Sequence, residues 1–346
     1  MVRMGKCTQC GIESPLVAKA IGVCGACIRS KPETKEPVKK KIFEPFLIPP
    51  IIDKQVTEKS KIPAMGFFDF HPCNCIGSWL CPGTTGSGYP LYAHSPQGDA
   101  GFKNLAVFFG GCSFDCLFCQ DWIHKIMLEQ QKPLFLIEEI VNWVDEMTSC
   151  VCFCGGTPDL YLRESILLSK KLREKKKGIL RICAELNLTG KIEDLIEFSG
   201  LVIKSGGGLN IGLKAGNDAI HHAITDVSNK TVWENLRKLH QVFGRGETIP
   251  FLRPSLLIIP GYVGVREAKT VAERLADIDP DISLKLIGFL PRRYLRDLPP
   301  AADKDILMAA EAAREAGLKN VSPNADEIGN GKRFVRNKGR NNLCSI

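Results

Sequence analysis

Residues 104–122, NLAVFFGGCSFDCLFCQDW, decide the fold. The apolar run Leu105–Phe109 is short and continuous, which predicts a strand buried on both faces. It runs straight into Cys112, Cys116 and Cys119, a C-x3-C-x2-C spacing at the strand's end. Three thiolates this close can hold three irons of a 4Fe–4S cluster and leave the fourth iron open to a small molecule, whereas ferredoxin clusters are closed by a fourth Cys. A zinc knuckle or a closed cluster with a distant fourth Cys is the alternative, although zinc sites generally pair two C-x2-C units.

Outward from this loop, strand-like and helical stretches alternate. Strands are predicted at Leu105–Phe109, Val151–Cys154, Leu180–Cys183, Leu201–Lys204 or Leu209–Leu213, Phe251–Ile259 and Ser283–Phe289. Helices are predicted near 136–147, 160–175, 191–198, 217–242, 266–277 and 303–316. Repeated βα units predict an α/β fold, a doubly wound sheet or a barrel. In barrels, function gathers in the loops after the strand C-termini, where the unusual chemistry falls here.

On these residues the chain resembles the radical S-adenosylmethionine (SAM) superfamily, and is similar to pyruvate formate-lyase activating enzymes and their archaeal-type relatives, over roughly residues 65–325. Phe118 matches the aromatic before the third Cys of the family motif. The resemblance implies a partial (β/α)6 barrel with the cluster loop after its first strand. CFCGGTPD resembles the family's Gly-Gly segment and places Gly155, Gly156 and Thr157 after the second strand, where glycine lets backbone approach a ligand ammonium closely. RICAELNLTG resembles the third-strand segment, with Glu185 toward the SAM amino group and Asn187 toward the ribose. NIGLKAGND resembles the fourth, with Lys214 as a partner for the SAM carboxylate. Read alone, Glu185 is an ordinary surface acid and Lys214 a solvated cation. Three positions depart from the pattern. Gly212 stands where the family has Asp, Leu188 follows Asn187 in place of Gly, and Arg253 lies two residues upstream of the family's Arg.

The resemblance implies the chemistry. SAM chelates the open iron, one electron cleaves its sulfonium bond, and a 5′-deoxyadenosyl radical abstracts hydrogen from a substrate, a protein glycine in the activating enzymes. An electron donor such as ferredoxin or flavodoxin is implied as a partner. No acid–base pair can be nominated beyond the cluster.

The chain of 346 residues carries 15 Cys. Without a secretory leader, such cysteines read as metal ligands before disulfides. Cys7, Cys10, Cys24 and Cys27 form C-x2-C-x13-C-x2-C, a zinc-ribbon-like knuckle pair over residues 1–30, with iron of rubredoxin type as the alternative metal. HPCNCIGSWLCPG (71–83) brings His71, Cys73, Cys75 and Cys81 together, either a further metal site or buried structural thiols. Cys150, Cys152, Cys154 and Cys183 lie on predicted strands, and alternation points the first three to one face. They read as small packing residues before a second redox site. His221 and His222 read as helix surface and core edge.

The expected organisation is a four-Cys module (1–30), a Pro/Lys/Glu-rich linker (31–62), a Cys-containing lead-in (63–102), the barrel (103–325) and a basic tail (326–346). The net charge of +8 divides unevenly, with +6 on residues 1–61, +5 on 331–346 and −3 on the body. An acidic partner would be gripped at the ends, where Lys39, Lys40 and Lys41 extend the module. Two other readings therefore stand beside the radical enzyme. One is a radical SAM enzyme acting on RNA recruited by the knuckle and basic ends, and the other a non-catalytic Fe–S or zinc interaction protein. No apolar run approaches the ~20 residues of a membrane helix, and MVRMGKCTQCG lacks a leader's apolar core, so a cytoplasmic location is expected.

Overall fold

A computed structural model of the chain describes residues 4–30, 55–71, 73, 75–246 and 249–323. The Pro/Lys stretch 31–54, with Lys39, Lys40 and Lys41, and the basic tail from 324, with Cys344, lie outside them.

Near the N-terminus, β1 (Gly5–Lys6) and β2 (Glu13–Ser14) form an antiparallel hairpin, followed by α1 (Gly25–Ser30). The lead-in opens with a long strand, β3 (Lys61–Phe70), and passes through a single helical turn, α2 (Pro82–Thr85). Then come β4 (Lys103–Phe109), α3 (Ile123–Gln130), β5 (Leu134–Leu136) and α4 (Ile137–Val141). Regular alternation follows with β6 (Thr148–Gly155), α5 (Leu162–Lys175), β7 (Arg181–Leu186), α6 (Ile192–Lys204), β8 (Leu209–Leu213), α7 (Asp218–Thr225) and α8 (Lys230–Phe243). The remainder is β9 (Leu252–Ile258), α9 (Val265–Ala276), β10 (Leu284–Gly288), α10 (Asp303–Glu315) and β11 (Val321–Pro323).

The strands of the body form one sheet in the order β11-β10-β9-β8-β7-β6-β4-β3-β5. Every pair from β4 to β11 is parallel, while β3 runs antiparallel to both β4 and β5. The result is an α/β fold with a mostly parallel sheet. Alternation divides each strand between two faces. Val151, Phe153, Ile182 and Ala184 pack with Leu168, Leu172, Phe198 and Val202 of the helices. Cys150, Cys152, Cys154 and Cys183 share the other face with Ala106, Phe108 and Met127. None of the helices among the described residues is long and apolar enough to cross a membrane.

Several elements differ from the sequence expectation. Leu201–Lys204 is the last turn of α6, with Val202 alone of the four buried, and the strand is Leu209–Leu213. The expected helix 217–242 breaks into α7 and α8. Asp226 adopts a left-handed conformation with φ 70°, and the Asp218 carboxylate accepts from Ser228 Oγ (2.8 Å) and the Asn229 N–H (2.7 Å). The helix expected over 136–147 stops at Val141, because Asp145 and Thr148 build the turn that starts β6. The strand β3 gave no sequence signal, since Pro63 and Gly66 interrupt its pattern.

The N-terminal module packs on the loops after β9 and β10. The Ala18 N–H donates to Tyr262 Oη (2.9 Å), which itself donates to the Val23 carbonyl (3.0 Å). The Lys19 N–H donates to the Asp297 carboxylate (2.8 Å). At the contact, a Cβ on Gly25 would stand 2.3 Å from the Gly261 carbonyl oxygen, so only glycine permits this approach.

Candidate functional site

The cysteine loop leaves β4 at Phe109 and lies across the C-terminal ends of the parallel strands. Its backbone is held from two sides. The N–H groups of Asp115 and Leu117 donate to Thr225 (2.8 Å) and Ile224 (2.9 Å) at the end of α7, and the Leu117 carbonyl accepts from Tyr294 (2.9 Å). Asp115, inside the motif, pairs with Lys125 of α3 and with Arg293 Nη1 (2.7 Å), which also donates to the Cys116 carbonyl (2.6 Å). Burial would raise the Asp115 carboxyl, but the hydrogen bonds and charges of Lys125 and Arg293 hold it down to about 2. Burial lowers Lys125 as well, against its bond to Asp115. Two cations on one carboxylate keep the ion cluster paired and the loop fixed.

Cys112, Cys116 and Cys119 line a cavity of about 430 Å³. Gly155, Gly156, Glu185, Asn187 and Lys214 line the same cavity, so five of the six residues expected at SAM converge with the three thiols. Thr157 does not line it. Its hydroxyl donates to the Asp159 carboxylate behind the wall. Arg253 is absent from the lining too. It lies at the other end of its strand, donating to the Pro250 (2.9 Å) and Gly207 (3.4 Å) carbonyls.

Each wall has a local cause. A Cβ on Gly156 would fall 1.4 Å from the Gly111 carbonyl oxygen, so this glycine lets the β6 loop lie against the cysteine loop. Asp159, which the sequence reading passed over, ties the β6 and β7 loops together. Its carboxylate accepts the N–H groups of Asn187 (2.8 Å), Thr189 (2.6 Å) and Gly190 (3.1 Å). Asn187 is thereby aimed at the thiols, with Nδ2 donating to Cys112 Sγ (3.3 Å) and Ser113 Oγ (3.1 Å). Where the family carries Asp, a Cβ on Gly212 would stand 2.3 Å from Lys214 Nζ, so the lysine head fills that space. The loop after Lys214 is anchored by buried Glu267, which accepts the N–H groups of Gly216 (3.0 Å) and Asn217 (2.8 Å) and meets Arg29 of the N-terminal module at 3.5 Å.

Electrostatically the cavity is mixed. Burial pushes Cys112 up to about 12 and Cys119 to about 11, and raises Cys116, each helped by neighbouring thiol charge or carboxylate. Metal binding must displace these protons. Glu185 is solvent-exposed on the cavity wall. Desolvation and the Asp121 carboxylate raise it, against the pull of Lys214. His124, five residues after Cys119, is a further lining residue the sequence reading missed. It is 1% exposed, its Nε2 lies 3.6 Å from Cys119 Sγ, and its Nδ1 has no hydrogen-bond partner. Burial and the Lys125 and Arg293 charges lower it to about 4, so it is neutral near pH 7. Three convergent thiols, an amide donor on one of them, a cation and a carboxylate fit a cluster with a zwitterionic ligand beside it.

Two further cysteine groups lie outside this cavity. The sulfurs of Cys7, Cys10, Cys24 and Cys27 all stand within 4.8 Å of one another, which suits a single tetrahedral ion. Cys73, Cys75 and Cys81 sit at the opposite, N-terminal end of the strands, where the lead-in folds beneath the cavity. There His71 approaches Arg181 (3.4 Å), which pairs with Asp99 (2.7 Å). Ile76, next to Cys75, reaches the cavity lining. Of the two adjacent histidines, His221 is buried and His222 half-buried.

No curated protein matches the sequence. A solved structure of Streptococcus suis SuiB bound to precursor peptide SuiA is similar at a TM-score of 0.42 and 14% identity. The match covers 61% of this chain and 46% of that one, so the chain spans less than half of that protein's length. Residues 106–254, from β4 into β9, match the model of the Radical SAM superfamily. With its cysteine loop, glycine wall and cavity on the same strands, this chain carries a radical SAM superfamily domain, and that domain implies a 4Fe–4S cluster and SAM.

Proposed function

We propose that the chain is a radical SAM enzyme whose Cys112, Cys116 and Cys119 ligate the 4Fe–4S cluster. In this reading β4 and β6–β10 are the partial (β/α)6 barrel, and Glu185, Asn187, Lys214, Gly155 and Gly156 hold SAM. The observation that carries the proposal is the convergence of these residues, from four different strand ends, on one cavity with the three thiols. When bound and reduced, the cluster supplies the electron that cleaves SAM to methionine and a hydrogen-abstracting 5′-deoxyadenosyl group. Lys214 offers its ammonium to the SAM carboxylate and Glu185 its carboxylate to the amino group. Gly155, at φ 101°, carries the backbone along the cavity wall with Phe108 packed where a Cβ would stand, and Thr157 acts from behind, on Asp159. Asn187 donates to Cys112 Sγ, a bond that orients the thiolate and tunes the cluster. The cysteine loop with Phe289, Leu290 and Ala301 walls the cavity and limits the water around the ligand.

The hydrogen donor we favour is a glycine of a protein partner, with ferredoxin or flavodoxin as the electron source. A cavity of about 430 Å³ that must also take SAM leaves room for a small reacting group. The four-Cys module is proposed to hold zinc.

Anaerobic reconstitution with iron and sulfide, then SAM and a strong reductant, tests the reading. The wild type forms 5′-deoxyadenosine, and Cys116→Ala forms none. A wild type that carries a cluster and leaves SAM intact overturns the proposal.

A further inference from the structure

Seven of the fifteen cysteines gather beneath the cavity, and the radical chemistry uses none of them. Cys150, Cys152 and Cys154 of β6 and Cys183 of β7 share the inner sheet face, and the lead-in brings Cys73, Cys75 and Cys81 against it. Cys150 Sγ and Cys183 Sγ stand 3.8 Å apart. Two thiolates on one tetrahedral metal, at about 2.3 Å each, are about 3.8 Å apart. The same 3.8 Å separates Cys10 and Cys24 in the N-terminal module. Cys75 and Cys81 both lie within electrostatic reach of Cys183, and Asn210 Nδ2 approaches Cys75 Sγ at 3.6 Å. As a set the floor thiols spread wider than a single ion's shell. Among the described residues only the N-terminal four-Cys group lies within 4.8 Å throughout, and the Cys112 loop is likewise wider. A polynuclear cluster suits that spread.

Charge supplies an independent argument. Two guanidinium groups are buried at this floor, Arg181 at 0% and Arg253 at 3% exposure. Asp99 neutralises Arg181. Arg253 donates to backbone carbonyls only and has no acidic side chain as partner among the described residues. A buried cation without an anion is costly, so the floor calls for negative charge. An iron–sulfur cluster closed by four thiolates is a net anion, stabilised by nearby N–H donors and cations.

We propose that Cys75, Cys81, Cys150 and Cys183 close a second iron–sulfur cluster at the floor of the cavity, with Arg253 as counter-charge and Asn210 as a donor to Cys75. With all four positions taken by thiolate, this cluster holds electrons and binds no SAM. It stands on residues separate from the proposed SAM-binding cluster.

The test uses full-length protein, anaerobically reconstituted, with Cys112, Cys116 and Cys119 all replaced by Ala. The variant is expected to keep iron and acid-labile sulfide, with a visible absorption that SAM does not alter. Adding Cys75→Ser and Cys183→Ser is expected to remove both, with the far-ultraviolet circular dichroism unchanged. A triple variant with zinc alone or without iron overturns the proposal, and needs no change at the floor to do so. Retention of acid-labile sulfide after Cys75→Ser and Cys183→Ser, or a Cys150–Cys183 disulfide mapped in anaerobically purified protein, overturns it as well. Failure of the SAM-binding reading registers separately, as a wild type whose spectrum is insensitive to SAM.

Discussion

Gly156 carries more of the site than its size suggests. Its missing side chain lets the β6 loop reach the Gly111 carbonyl, and the Thr157 N–H then donates to that same oxygen at 3.0 Å. Gly156→Ala forces the two loops apart, so the reconstituted variant is expected to lose most of its SAM-responsive iron absorption while the helices stay folded. Asp159 is the complementary case, a buried carboxylate serving three backbone donors. Hydrogen bonds to a charged group contribute about 1.5–3 kcal/mol each, and Asp159→Ala leaves several donors unpaired. A loss of about 3 kcal/mol or more in urea denaturation is expected. His221 gives a pH signature. Burial lowers it from 6.5 to about 4, against its bond to the Val227 carbonyl, so between these values the unfolded chain binds the extra proton. Its contribution is present above pH 6.5 and is lost as pH falls toward 4, by about 3 kcal/mol in all. Denaturation midpoints measured across that window should slope less in His221→Gln than in the wild type.

At the scale of elements, the alternating pattern of strands was legible because each strand is apolar on both sides and each helix amphipathic. What eluded the pattern were segments whose form depends on partners. The strand β3, with Pro63 and Gly66, is a strand because β4 and β5 pair with it. α7 and α8 read as one helix until Asp218 is seen collecting Ser228 and Asn229. The loop between β8 and α7 presents Lys214 through a residue 53 positions later in the chain, Glu267 of α9. Glu267→Gln keeps the shape and removes the charge. About 1.5 kcal/mol of lost anchoring corresponds to roughly tenfold weaker SAM binding, read by titration of the reconstituted protein. An unchanged SAM affinity would show that the loop holds itself.

Over the whole molecule, the N-terminal module packs against loops at the end of the sheet that carries the cavity. Arg29 reaches Glu267 at 3.5 Å and Tyr262 links two backbone groups of the module, so its four-Cys site is two contacts from the Lys214 loop. Chelating the metal proposed for it is expected to expose residues 15–30 and the 260–267 loop to amide exchange together, with the central strands still protected. Exchange confined to the module would deny the coupling. The sequence by itself determined the α/β class, the cysteine loop after a strand and the residue types around a ligand, because these depend on local periodicity and on spacing within one turn. It also separated the basic ends from the mildly acidic body. Only the tertiary structure decided that Thr157 and Arg253 stand outside the cavity and that Asp159, His124 and Glu267 serve it. It alone gathered cysteines from the lead-in and two strands at one floor. The physical reason is that a side chain's role follows from the backbone groups and charges brought to it, and these come from segments tens to hundreds of residues away.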